Sequence, residues 1–94
     1  MTALKSKRTY SLGELYKTQG VLNGVPEWDV WNAIMRHANC DWGEVCEEDW
    51  QLNDGALEND GRLLSVYTAS NAKRFWIITE WDRSVTTVLL PEEY

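Results

Sequence analysis

Two cysteines, two prolines, one histidine and one phenylalanine are all that the 94 residues hold of these types, and each scarcity closes a route. Cys40 and Cys46 are too few for a disulfide scaffold, so both are expected to be thiols in a reducing, cytoplasmic setting. With His37 they offer three zinc ligands at most, without a Cys-x-x-Cys pair or a second histidine, so neither a metal nor another cofactor is expected. The Asp-x-Asp-x-Asx-Gly order of a calcium loop is missing as well. No run approaches the roughly 18 apolar residues of a membrane span. The polar, basic start, Met1 to Tyr10, has no apolar stretch behind it to form a signal peptide.

Catalytic signatures are equally scarce. There is no glycine-rich phosphate loop, no serine elbow and no nucleophile with an evident base, so no catalytic residue is assigned and an enzyme is not expected. His37 and Cys40, three residues apart, could form a thiolate–imidazole pair only if both reached one cleft. A histidine near a helix C-terminus serves the helix dipole more simply. Glu80, Asp82 and Arg83 bracket a hairpin, where an ion pair that steadies the turn is the plainer reading.

Positive charge is the remaining scarcity. Nine Lys and Arg stand against fifteen Asp and Glu, a formal charge of −6 with a pI near 4.6. That balance repels phosphate backbones, so direct nucleic-acid binding is disfavoured. The six tryptophans then fit core and interface roles better than base stacking, which works inside basic grooves. The same charge favours a basic surface of another protein or of a protein–RNA complex.

One domain of the α+β class is expected over residues 1–94, with 1–9 as a flexible arm. Leu12, Leu15 and Tyr16 suggest an N-terminal edge strand, and Gly20, Asn23 and Gly24 punctuate the segment after it. Pro26, Glu27 and Asp29 suit the first turn of a helix over about 26–38. In it Trp28, Trp31, Ile34, Met35 and Ala38 recur at helical spacing, as a stripe facing the core. Glu47, Glu48 and Asp49 open a second helix over about 46–59, which Asp54-Gly55 threatens to break. From Arg62 on, runs rich in Val, Ile, Thr, Tyr and Trp predict a three-stranded antiparallel meander over about 62–69, 74–81 and 85–90. Phe75, Ile77 and Trp81 share one side of its middle strand, a candidate face for a homodimer.

The sharpest feature lies between residues 41 and 60. Asp41, Glu44, Glu47, Glu48, Asp49, Asp54, Glu58 and Asp60 succeed one another with no Lys or Arg between them. Carboxylates this close repel one another unless a cation or a basic partner neutralises them. They are the candidate partner-binding residues. A solvated helix face that keeps the protein soluble is the plainer alternative.

Several segments also carry a resemblance: Asp41-Trp42-Gly43-Glu44, Glu47-Glu48-Asp49, Arg62-Leu63-Leu64-Ser65, Trp76-Ile77-Ile78-Thr79-Glu80 with Asp82-Arg83-Ser84, and Leu89-Leu90-Pro91-Glu92-Glu93-Tyr94. From about Leu12 to Tyr94 the chain resembles small plasmid-related proteins of bacterial plasmids, prophages and integrated elements. The resemblance brings no catalytic residues with it. It implies a mobile-element setting, in which a small acidic protein is expected to disarm host defence in the manner of anti-CRISPR or antirestriction proteins. Occupying the basic channel that holds DNA or RNA would suffice. A homo-oligomeric structural or regulatory protein of plasmid maintenance is the other expectation.

Overall fold

A computed structural model describes residues 10–94, and the expected arm at 1–9 lies outside the described residues. The order is β1 (Glu14–Lys17), α1 (Gln19–Gly24), α2 (Glu27–Ala38), α3 (Glu47–Asn59), β2 (Leu63–Thr68), β3 (Arg74–Thr79), β4 (Val85–Leu89) and a closing 3-10 turn (Pro91–Glu93). The fold is α+β, with helices packed on a four-stranded sheet of order β1-β4-β3-β2. The three C-terminal strands form the expected antiparallel meander. The N-terminal strand joins its edge parallel to β4, pairing Leu15 with Thr86 and Lys17 with Val88. Gly13, at φ +66°, makes that approach feasible, because a Cβ there would collide with the Ser84 carbonyl.

The helix α1 was not expected from its glycines and asparagine. Its stability comes from its ends. Thr18 caps it through the Val21 N–H, and Glu93 reaches across from the C-terminal turn to accept from Thr18 Oγ1 at 2.5 Å and the Gly20 N–H at 3.0 Å. The Thr18 hydroxyl is the main reason that the Glu93 carboxyl is held below its ordinary range. The start of α1 is thereby tied to the C-terminal turn, and Val21 is fully buried.

The core lies between the helices and one face of the sheet. There Tyr67, Phe75, Ile77 and Val88 meet Val21, Val25, Val30, Ala33 and Ile34. This corrects the expected stripe of α2. The helix turns Val30, Ala33, Ile34 and His37 inward, while Trp28, Trp31 and Met35 are 76, 44 and 62% exposed. Tyr67 and Phe75 already fill the layer from the sheet side, with ring centroids 5.9 Å apart. The helix can approach such a surface only with smaller side chains. Only Ile34 of the expected stripe is buried.

The helix α3 runs through Gly55 without a break and serves the edge of the sheet. Asn53 Nδ2 donates to the Leu64 carbonyl at 2.7 Å and its Oδ1 accepts the Leu64 N–H at 3.1 Å. One residue pair further along, Glu44 N–H donates to the Val66 carbonyl and the Val66 N–H to the Trp42 carbonyl. This bridge needs Gly43, at φ +76°, since a Cβ would run into the Val66 carbonyl. The edge of β2 is thus closed by side chain and loop, which removes a template for further strand pairing.

Candidate interaction surface

The eight carboxylates divide by role. Asp41 forms a two-pronged pair with Arg36, at 2.8 and 3.3 Å, and accepts the Gly43 N–H. The Arg36 contact is the leading reason that the Asp41 carboxyl lies below its ordinary range. Glu44 accepts from Thr68 Oγ1 and Arg74 Nη2. Asp54 Oδ1 accepts the indole N–H of Trp42 at 3.0 Å. These three fix the loop between α2 and α3, with Trp42 fully buried against His37.

The other five stand on the surface of α3, and they do not form one face. Glu47, Glu48 and Asp49 occupy the first turn, where the positive end of the helix dipole favours them. Glu58 and Asp60 lie about 15–20 Å away at the other end. There Arg83 places its guanidinium on the carbonyls of Ala56 and Gly61, at 3.0 and 2.5 Å. Among the described residues, the ion pairs Arg36–Asp41, Arg62–Glu80 and Arg74–Glu44 are all made elsewhere. Among the described residues, none reaches the first turn of α3.

Beside that turn runs an apolar groove that sequence reasoning missed. On the sheet face opposite the core, Arg62, Leu64, Trp76, Ile78 and Tyr94 line a depression of about 230 Å³. A second, of about 200 Å³, shares Arg62 and Leu64 with it and adds Asp49, Leu52 and Asn53. Leu52 is 70% exposed, and helical spacing sets Glu48 and Asp49 on its side of α3. Tyr94 roofs the far end, edge-on to Trp76 at 5.5 Å, and accepts from Arg62 Nη1 at 2.7 Å. Both hollows fall below the 300–1,000 Å³ usual for small-molecule sites, but an open groove of this kind can take apolar side chains of a protein. The strand alternation of β3 was a signal for it, since Trp76 and Ile78 must point away from Phe75 and Ile77.

The residues of the expected dimer face do not share an exposed surface. Phe75 and Ile77 are buried under the helices, and Trp81 stands apart in the β3–β4 turn. In that turn Arg83 does not pair with Asp82. Its Nη1 donates to the carbonyls of Glu80 and Trp81, while Asp82 holds the N–H and hydroxyl of Ser84 and Glu80 pairs with Arg62.

His37 reaches no cleft. It is fully buried, with Nδ1 2.6 Å from Ser65 Oγ and Nε2 2.9 Å from Thr79 Oγ1. Thr79 Oγ1 lies 2.7 Å from Thr86 Oγ1, which donates to the Leu12 carbonyl at 2.6 Å. That carbonyl orients the whole chain of hydrogen bonds. Thr86 gives its proton to Leu12, Thr79 gives its own to Thr86, and the ring must then donate through Nε2 and accept the Ser65 hydroxyl at Nδ1. Burial, with Arg83 nearby, lowers the His37 pKa from 6.5 to about 3, so the ring is neutral. Burial likewise raises the phenols of Tyr10 and Tyr67 well above their ordinary range, leaving them neutral donors to the carbonyls of His37 and Asp41.

Cys40 is half-buried and Cys46 exposed, and both are thiols. Among the described residues, no three His, Cys, Asp or Glu side chains gather where they could hold a metal ion. No helix of the described residues is long and apolar enough to cross a membrane. Comparison of the chain with protein-family models, with curated proteins and with solved structures returned no match.

Proposed function

We propose that the chain is a non-enzymatic binding domain that docks onto a basic protein surface through the first turn of α3 and the groove beside it. The observation that carries this reading is the exposure of Leu52, one helical turn on from Glu48 and Asp49, at the mouth of the groove formed with Leu64 and Trp76. Carboxylates around an exposed apolar anchor complement a partner that carries Lys or Arg around an apolar side chain. In the mobile-element setting that the resemblance implies, such a partner is the channel in which a host defence complex holds DNA or RNA. Inhibition then needs occupancy and no turnover.

The test is affinity capture of the tagged protein from nuclease-treated bacterial lysate, with a salt titration and a variant. Glu44 pairs with Arg74 and Thr68, so it is left intact. Glu47→Gln, Glu48→Gln and Asp49→Asn remove three charges without placing cations at a helix N-terminus. A DNA- or RNA-handling complex is expected to be retained, to be released by salt, and to bind this variant at least tenfold more weakly. Full affinity in the triple variant sinks the proposal.

A further inference from the structure

The two edges of the sheet are finished differently. Asn53 and the bridge at Gly43 close β2, whereas β1 is the opposite edge and pairs only with β4. The N–H groups of Glu14 and Thr18 donate to the Ser84 and Val88 carbonyls. Alternation along the strand then turns the N–H and C=O groups of Leu15 and Lys17 outward. Among the described residues nothing is hydrogen-bonded to these main-chain groups. Edge strands are commonly blunted by a charge that stands over them. Lys17 does not serve in this way, because its Nζ is drawn onto the flank of α2, 4.8 Å from the Trp31 ring centroid. Beside the end of β1 lies a hollow of about 190 Å³, lined by Lys17, Val21, Leu22, Val25, Glu27 and Val30. Val21, Val25 and Val30 belong to the core and form its inner wall, and Leu22 is exposed at its rim.

We propose that the trough between β1 and α2 binds an extended segment of another protein, which joins the four-stranded sheet as a further strand and sets one Val, Leu or Ile side chain into the hollow. The outward N–H and C=O groups of Leu15 and Lys17 alternate as a strand edge does, and the complement of that pattern is another extended main chain. Lys17 pairs with the buried Val88 and shares its side of the sheet, the side of the helices. The residue laid opposite Lys17 therefore turns its side chain towards Trp31 and the hollow. Apolar cavities of roughly 150 Å³ hold a group the size of benzene, so this one has room for a single aliphatic side chain. Lys17 and Glu27, of opposite sign, flank its mouth, which favours an uncharged occupant.

A second copy of β1 fits less well. Antiparallel two-fold pairing centred on Tyr16 puts both Lys17 side chains on one face, with roughly 8 Å between their Cα atoms, where like charges repel. It also offers the hollow Leu15, which is already packed against its own core. The site lies at the opposite edge of the sheet from α3 and its groove, so it stands apart from the docking surface proposed above.

Selection from a library of acetylated, amidated nonapeptides on the immobilised full chain tests the proposal, followed by amide exchange measured by NMR. Retained peptides are expected to share Val, Leu or Ile at one position and to slow exchange of the Leu15 and Lys17 amides at least tenfold. N-methylation of the best peptide separates a strand from a ligand held by apolar contact alone. Methyl groups on the nitrogens that face β1 should weaken binding at least tenfold, and those on the alternate nitrogens should leave it within about twofold. Lys17→Pro removes one outward N–H and keeps the bonds to β4, so it should bind at least tenfold more weakly than Lys17→Ala. No peptide retained up to about 1 mM, or equal effects of the two sets of methyl groups, overturns the proposal. So does protection of the Leu15 and Lys17 amides without peptide, because the edge is then already taken. A mass above 10.9 kDa would assign that edge to a second copy, and an unchanged mass to the chain's own residues 1–9.

Discussion

Asn53 acts on Leu64 as a neighbouring strand would: one side-chain amide both donates to and accepts from its backbone, at 2.7 and 3.1 Å. A helix is thereby joined to a sheet edge by hydrogen bonds as well as by packing. The register of α3 along β2, and with it the position of Leu52 and Asp49 beside the groove, depends on this pair.

Replacing Asn53 by Ala is expected to destabilise the domain by about 2–3 kcal/mol, because two partly buried backbone groups lose their partners. Asn53→Asp keeps the acceptor but sets a buried carboxylate oxygen against the Leu64 carbonyl, so near neutral pH it should be no more stable than Asn53→Ala. Urea denaturation of the three proteins measures this. A loss below about 0.5 kcal/mol in Asn53→Ala would show that water replaces the amide freely.

The neutral, buried His37 predicts a dependence on pH of definite sign. Its folded pKa, about 3, lies below the value of 6.5 for the unfolded chain, so the unfolded state binds the extra proton. The histidine's contribution to stability is complete above pH 6.5 and is lost as pH falls through that value towards 3. Between pH 7 and 5 the loss should be about 2 kcal/mol. The depressed carboxyls of Asp41, Asp82 and Glu93 lose their contribution only as pH falls below the ordinary carboxylate range, so this window belongs to the histidine. Proton NMR of the ring gives the direct check. A midpoint near 6.5 in the folded protein contradicts the buried hydrogen-bonded chain.

Much of this fold was legible in the sequence. The β-branched and aromatic runs after Arg62 gave the meander, and Pro26 with the acidic first turns gave α2 and α3. What stayed hidden depends on contacts between distant residues. Gly20, Asn23 and Gly24 read as loop, because the cap that Glu93 supplies to α1 comes from 73 residues away. Trp28, Trp31 and Met35 read as core by their helical spacing, since nothing local in α2 reveals that Tyr67 and Phe75 already occupy that space. The acidic run read as one surface, because Arg36, Arg74 and Trp42 claim three of its members only once the chain is folded. Phe75 and Ile77 were placed on the correct side of β3, but which side α2 covers is not written in alternation alone.

Gly55 marks a place where the sequence carries an avoidable cost. A Cβ there meets nothing within 4 Å, and the residue sits inside an unbroken helix. Gly55→Ala should therefore raise stability by about 0.5–1 kcal/mol, through a smaller entropy loss on folding. Thermal unfolding of a domain this size should shift upward by roughly 3–6 °C. A lowered midpoint would mean that α3 must bend at this point.

Arg83 separates hydrogen bonding from backbone conformation. Its guanidinium spans four carbonyls, those of Ala56, Gly61, Glu80 and Trp81, and so fastens the C-terminus of α3 to the β3–β4 turn. Its backbone, at φ 60°, is left-handed. Arg83→Ala loses the clamp and keeps the strain, for an expected cost of about 2–4 kcal/mol. Arg83→Lys should recover less than half of it, because one ammonium cannot cover carbonyls spread over a planar fork. Arg83→Gly loses the same clamp but relaxes the backbone, and should exceed Arg83→Ala in stability by about 1 kcal/mol. Equal midpoints for Ala and Gly in chemical denaturation would show that the left-handed turn stores no strain, and would assign the whole cost to the four hydrogen bonds.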